Sequence, residues 1–173
     1  MEYTRSEIAG AVQAATREMG YQELRGKQEK VLQEYVYGRD TFVSLPTGSG
    51  KSLCYCALPL VFDKLRKTKD RSITLVVSPL IALMKDQVHT VNRRSVRSVY
   101  IGDLDTNMVN TTTEISEGKY QLVFVSPEAL LTDLHWRDML MSPVYQENLV
   151  AFVVDEAHCV TKWLVISQWL RRH

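Results

Sequence analysis

Leu45-Pro46-Thr47-Gly48-Ser49-Gly50-Lys51-Ser52 gathers the residue types that can enclose a polyphosphate. Dense negative charge has to be met by many donors without added bulk. Gly48 and Gly50 reach backbone angles that other residues resist, so the N–H groups from Thr47 through Ser49 to Ser52 can turn around phosphate oxygens. Lys51 would reach the β- and γ-phosphates, and the Ser52 hydroxyl would ligate magnesium. Far downstream, Asp155-Glu156-Ala157-His158 follows the apolar run 149–154. Asp155 is placed to hold the metal, and Glu156 to orient or deprotonate an attacking water. Each segment alone is a weak pattern, and a chance Gly-rich turn would explain the first. In this order, with alternating strand and helix patterns between them, they point to a site for magnesium and a nucleoside triphosphate.

The elements that must position these residues are legible in the apolar pattern. Runs 41–45, 73–77, 120–125 and 149–154 are almost continuously apolar and β-branched, with a weaker run at 96–101. Continuous rather than alternating runs suit strands buried on both faces. Helical periodicity separates them. Cys54, Ala57, Leu58, Val61, Phe62 and Leu65 share a face, with a kink expected at Pro59. Leu80, Leu83, Met84, Gln87 and Val88 repeat the spacing after run 73–77. The expected fold is α/β, a parallel sheet flanked by helices and joined by right-handed crossovers.

Two junctions share one chemistry: Ser78-Pro79 and Ser126-Pro127 each follow a strand and place serine as N-cap and proline at the first helical position. They lie at the strand edge that also carries the Gly-rich loop and Asp155, the edge where open α/β sheets bind ligands. Ahead of the sheet, Ile8, Val12, Ala15 and Met19 form one helical stripe stopped by Gly20. Leu24, Gln28, Val31, Leu32 and Tyr35 form another stopped by Gly38. The basic stretch 64–71, interrupted by Asp70, reads as a solvated loop.

The chain has 173 residues, enough for one domain with a sizeable core; 45% are apolar and 24% charged, which excludes wholesale disorder. A net charge of +1 assigns any nucleic-acid contact to a local patch rather than to the field of the whole molecule. No apolar run reaches the roughly 18 residues that span a bilayer, and the N-terminus lacks the apolar stretch of a secretory signal. A reducing compartment is expected, cytosolic or nuclear. Cys54 and Cys56 fall about 200° apart around a helix, and they and Cys159 read as packing thiols rather than a metal clamp or disulfide.

With these residues in view, the chain resembles a RecQ-type DNA helicase of superfamily 2 over residues 18–163. The resemblance rests on Gly20-Tyr21, Leu24-Arg25 and Gln28 ahead of the loop, and on Lys51-Ser52-Leu53-Cys54-Tyr55 after it. It continues in the segment 78–88, in Phe124-Val125-Ser126-Pro127-Glu128, and in Asp155-Glu156-Ala157-His158. It implies a RecA-like P-loop NTPase lobe over 40–163, a helical region with an adenine-recognition segment over 1–39, and a divergent tail over 164–173. Tyr21 would stack on adenine, Gln28 would bond its polar edge, and Arg25 would support base or phosphates. Without the resemblance this segment reads as an ordinary amphipathic helix. His158 would link the nucleotide site to neighbouring loops. Lys51, Asp155 and Glu156 are expected to carry turnover, with ATP and Mg2+ as cofactors.

The same resemblance implies single-stranded or partially duplex DNA as partner, touched by Ser78, Ser126 and Trp163, and nuclear localisation, or cytosolic in a prokaryote. From spacing alone the two serines are equally well simple helix caps. Three departures stand out: Leu45 replaces the first glycine of the general loop pattern, Cys56 replaces the usual glutamine, and after Trp163 the family's aromatic-rich loop gives way to Leu164-Val165-Ile166-Ser167-Gln168-Trp169-Leu170. A second RecA-like lobe, with the arginine it contributes to the cleft, is absent from these residues. Weak magnesium–ATP binding and slow hydrolysis without processive 3′–5′ unwinding are expected. The rival expectations are a non-catalytic nucleotide- or DNA-binding module that competes with a full-length helicase, an unstable fragment and, more distantly, a small-molecule kinase.

Overall fold

The parallel sheet is present, with one strand fewer than the apolar runs suggest. A computed structural model describes residues 3–46, 48–102 and 109–156. In chain order these form α1 (Arg5–Glu18), α2 (Gly26–Val36), α3 (Lys51–Cys56), α4 (Leu58–Arg66), β1 (Ile73–Val77), α5 (Ile81–Asn92), β2 (Ser98–Ile101), α6 (Val109–Ser116), β3 (Leu122–Val125), α7 (Pro127–Thr132), α8 (Leu134–Met141), α9 (Pro143–Asn148) and β4 (Leu149–Val154). The strand order is β2-β3-β1-β4, every pairing parallel.

Strand periodicity divides the core between two faces. Val76, Leu122 and Phe124 join Ile8, Val12, Leu32, Leu58 and Val61 in one cluster. Leu75, Val77, Val123 and Val125 join Trp136, Met139 and Tyr145 in the other. The N-terminal helices thus share the first core with the sheet. Thr4 caps α1 through a box with Glu7, and Lys64 of α4 pairs with Glu18 at the far end of α1.

Three local expectations are corrected. Run 41–45 is irregular chain, not a strand: Phe42 is 85% exposed, and no strand among the described residues pairs with this run or with the outer edge of β4. β-propensity is realised only where a neighbour completes the hydrogen-bond ladder. The helix after the loop is broken rather than kinked, ending at Cys56 and restarting at Leu58 with Pro59 in its first turn, where a missing N–H costs nothing. The basic stretch is partly helical, because α4 runs on to Arg66. The turn beyond it is fastened to buried Asp63, whose carboxylate accepts from Thr68 Oγ1 at 2.8 Å and the Ser72 N–H at 2.9 Å.

Candidate nucleotide site

Three strands end at one level, and backbone bonds tie their exits together. The Ser78 N–H donates to the Val125 carbonyl at 3.0 Å, and the Asp155 N–H to the Val77 carbonyl at 2.9 Å. Ser78, Ser126 and Asp155 therefore sit side by side at the C-terminal edge of the sheet.

The two serines diverge despite their shared dipeptide. Ser126 caps α7, its hydroxyl accepting from the Ala129 N–H at 3.1 Å, with Pro127 at the first helical position. Ser78 is no cap. Leu80 occupies that place in an extended conformation, α5 starts only at Ile81, and the Ser78 hydroxyl is buried with no hydrogen-bond partner among the described residues.

The Gly-rich loop takes the shape its glycines permit. Gly48 and Gly50 have φ of 76° and 79°, and Gly50 is the left-handed N-cap of α3, which begins at Lys51 and Ser52. Ser49 folds back on Pro46, its N–H donating to the Pro46 carbonyl at 3.2 Å. From α2, Gln28 braces the loop. Its Nε2 donates to the Ser49 and Gly50 carbonyls, each at 3.1 Å, while its Oε1 accepts from the Arg25 N–H at 3.0 Å. A methyl group at Gly50 would come within 2.6 Å of that Nε2.

Beside the loop lies a cavity of about 410 Å³ bordered by Tyr21, Arg25, Gln28, Gly48, Ser52 and Arg94, within the size range of small-molecule sites. The structure thus brings together the Gly-rich loop and the segment expected to read the base. Asp155 and Glu156 do not border this cavity. Arg94, which the sequence reading missed, covers one face of the Tyr21 ring at 4.3 Å from its centroid and donates to the Met19 carbonyl at 3.2 Å. A lone arginine beyond the end of a helix gives no sequence signal of this kind.

Asp155 is half-buried. Its Oδ1 accepts from the Glu156 N–H at 3.0 Å, and its Oδ2 lies 3.2 Å from the Tyr55 hydroxyl. Burial raises its pKa above the ordinary 3.8; the two hydrogen bonds and the charge of Lys51 pull the other way. Glu156 has φ of 57°, an uncommon conformation for a residue with a side chain, and it turns the chain just after the acid. Burial also raises the Cys54 thiol to about 11, and Cys54 and Cys56 are free and buried, as packing thiols should be. Thr47, His158, Cys159 and Trp163, together with the tail 164–173, lie outside the described residues.

A parallel sheet flanked by helices, a Gly-rich loop leading into a helix that starts with lysine and serine, and an acid pair at the adjoining strand exit define a RecA-like P-loop NTPase. The sequence model of the DEAD/DEAH box helicases matches residues 25–172, and the chain belongs to that family. It is 35% identical over 147 residues to the ATP-dependent DNA helicase RecQ of Haemophilus influenzae, covering 83% of this chain and 22% of that protein. It is 36% identical over 141 residues to the ATP-dependent helicase SGS1 of Saccharomyces cerevisiae, covering 80% of this chain and 10% of that one. The chain therefore spans about a fifth or less of the length of these relatives. Among solved structures, the DUF1998 helicase MrfA bound to DNA and AMPPNP matches with a TM-score of 0.69 at 23% identity, over 91% of this chain and 22% of that one. That likeness concerns the fold. No helix among the described residues is long and apolar enough to cross a membrane.

Proposed function

We propose that these residues form the ATP-binding lobe of a RecQ-type 3′–5′ DNA helicase, holding magnesium–ATP and contacting single-stranded or partially duplex DNA. One observation carries the reading: Tyr55, on the helix that opens with Lys51 and Ser52, has its hydroxyl 3.2 Å from Asp155. That contact ties the helix behind the loop to the carboxylate at the end of β4, a hundred residues further along the sequence.

The donor set suits magnesium. Ser52 and Asp155 supply hard oxygens. Magnesium takes few ligands from protein and the rest from phosphates and water. When bound, the ion would neutralise charge building up on the transferred phosphoryl group. The protein's own part is to bind and orient. Lys51 and the loop N–H groups hold the phosphates, Glu156 aligns water, and Tyr21, Arg25 and Gln28 receive the base. In a eukaryotic cell the setting would be nuclear, in a bacterium cytosolic.

The test is ATP hydrolysis by the purified chain with and without single-stranded DNA, beside Lys51→Ala and Glu156→Gln. We expect slow turnover that both variants abolish. Lys51→Ala should also weaken ATP binding by roughly 10- to 100-fold, the worth of a charge-assisted contact. Binding without any turnover would leave a nucleotide-holding module. Absence of nucleotide binding would overturn the reading.

A further inference from the structure

The Tyr55 hydroxyl has one proton and two neighbours that could take it. Gln87 Oε1 lies at 2.9 Å and Asp155 Oδ2 at 3.2 Å. If the proton goes to Gln87, two oxygens carrying lone pairs face each other across the gap to an ionised Asp155. Turning the Gln87 amide by half a revolution exchanges its oxygen and nitrogen without moving another atom, and the network decides that orientation. A continuous chain then results: Gln87 Nε2–H donates to the Tyr55 oxygen, and Tyr55 O–H donates to Asp155 Oδ2. The Glu156 N–H holds Oδ1. Each carboxylate oxygen accepts one bond from the protein and keeps a lone pair for another partner.

The three members come from three parts of the fold. Tyr55 lies on α3, four residues after Lys51 and 7% exposed, with its ring edge-on to Phe124 at 6.4 Å. Gln87 lies on α5, where it and its neighbours Asp86, Thr90 and Val91 border the cavity beside the loop. Asp155 follows β4. A buried tyrosine hydroxyl needs one partner, and this one has two within reach, on two different elements. A glutamine on the inward side of α5 otherwise leaves a polar group without purpose in a half-buried place.

We infer that Tyr55 is a positioning residue that transmits the placement of α5, through Gln87, to the Asp155 carboxylate and so sets how well that carboxylate holds a divalent cation. The inference rests on the nucleotide reading above and deepens it. α3 thereby acts twice on one ligand: through Lys51 and Ser52 at its start, and through Tyr55 one turn later.

The test is a magnesium titration of binding by a fluorescent ATP analogue, for the unaltered chain, Tyr55→Phe, Gln87→Leu and the double variant, with thermal melts to verify folding. Tyr55→Phe keeps the ring and its packing. It should raise the half-saturating magnesium concentration by roughly 10-fold, as loss of an outer-shell partner does elsewhere, and leave magnesium-free nucleotide affinity unchanged. Gln87→Leu should shift it in the same direction. The double variant should be no worse than Tyr55→Phe alone, because the two groups act in series. An unchanged magnesium midpoint in folded Tyr55→Phe, or fully additive effects, overturns the relay and leaves the nucleotide reading standing. Should the unaltered chain bind no nucleotide at any magnesium concentration, both fall together.

Discussion

β1 and β4 lie side by side in parallel register, yet they inhabit different surroundings. All five residues of β1 are buried, whereas β4 buries only one of its six, Ala151. The contrast is sharpest at the pair Val77 and Val154, which are register partners and the same residue type: one is 0% exposed, the other 39%. β1 lies between two strands and is held by two ladders, whereas β4 pairs with one strand among the described residues. Asp155 is delivered by the less buried of the two. The candidate site is accordingly built from unequal halves: a loop braced by Gln28 and a carboxylate at the end of a sparsely covered strand.

Matched substitutions test this contrast directly. Val77→Ala should cost about 2–3 kcal/mol, from lost burial and the cavity left behind, measured by urea unfolding. The next largest effect belongs to Gly50→Ala: about 1–2 kcal/mol for a side chain in left-handed backbone, with a further loss from the contact with Gln28 Nε2 that Gln28→Ala in the same chain should recover. Val154→Ala should cost less than about 1 kcal/mol, because its methyl groups already meet solvent. Equal costs at Val77 and Val154 would break the comparison and show that the outer side of β4 is covered in solution.

The smallest expected effect is one of pH. Burial gives Asp155 a higher pKa folded than unfolded, so the folded chain binds this proton more tightly. The stabilisation it brings is complete below the ordinary value of 3.8 and is lost as pH rises through the folded value. Asp155→Asn escapes that loss. Its melting temperature should exceed that of the unaltered chain at neutral pH, with the difference shrinking as pH falls towards 4. A constant difference across that range would mean that the carboxylate is solvated like any surface acid.

How much of this was legible depended on whether the information was local. Runs 73–77, 120–125 and 149–154 announced β1, β3 and β4 because burial on both faces demands continuous apolar sequence. Run 41–45 has the same composition and forms no strand, since pairing is a property of two segments and composition describes one. Ser78-Pro79 and Ser126-Pro127 were indistinguishable as dipeptides. They separate only through Leu80, whose φ of −106° and ψ of 94° delay the helix. The Gly-rich loop was legible because its turns need glycine at Gly48 and Gly50, whose φ are 76° and 79°, and the acid pair because it ends an apolar run. The Tyr55–Gln87–Asp155 chain was not, its members lying 32 and 100 residues apart. Its one trace was a glutamine inside the apolar stripe of α5.

Gln28 joins two segments that the sequence keeps apart. Both ends of its amide are engaged, with the Ser49 and Gly50 carbonyls on one side and the Arg25 N–H on the other. The shape of the Gly-rich loop is therefore tied to the start of α2 through a single side chain. Glycine permits the turn, and glutamine holds it: the freedom of one residue type is spent by the reach of another.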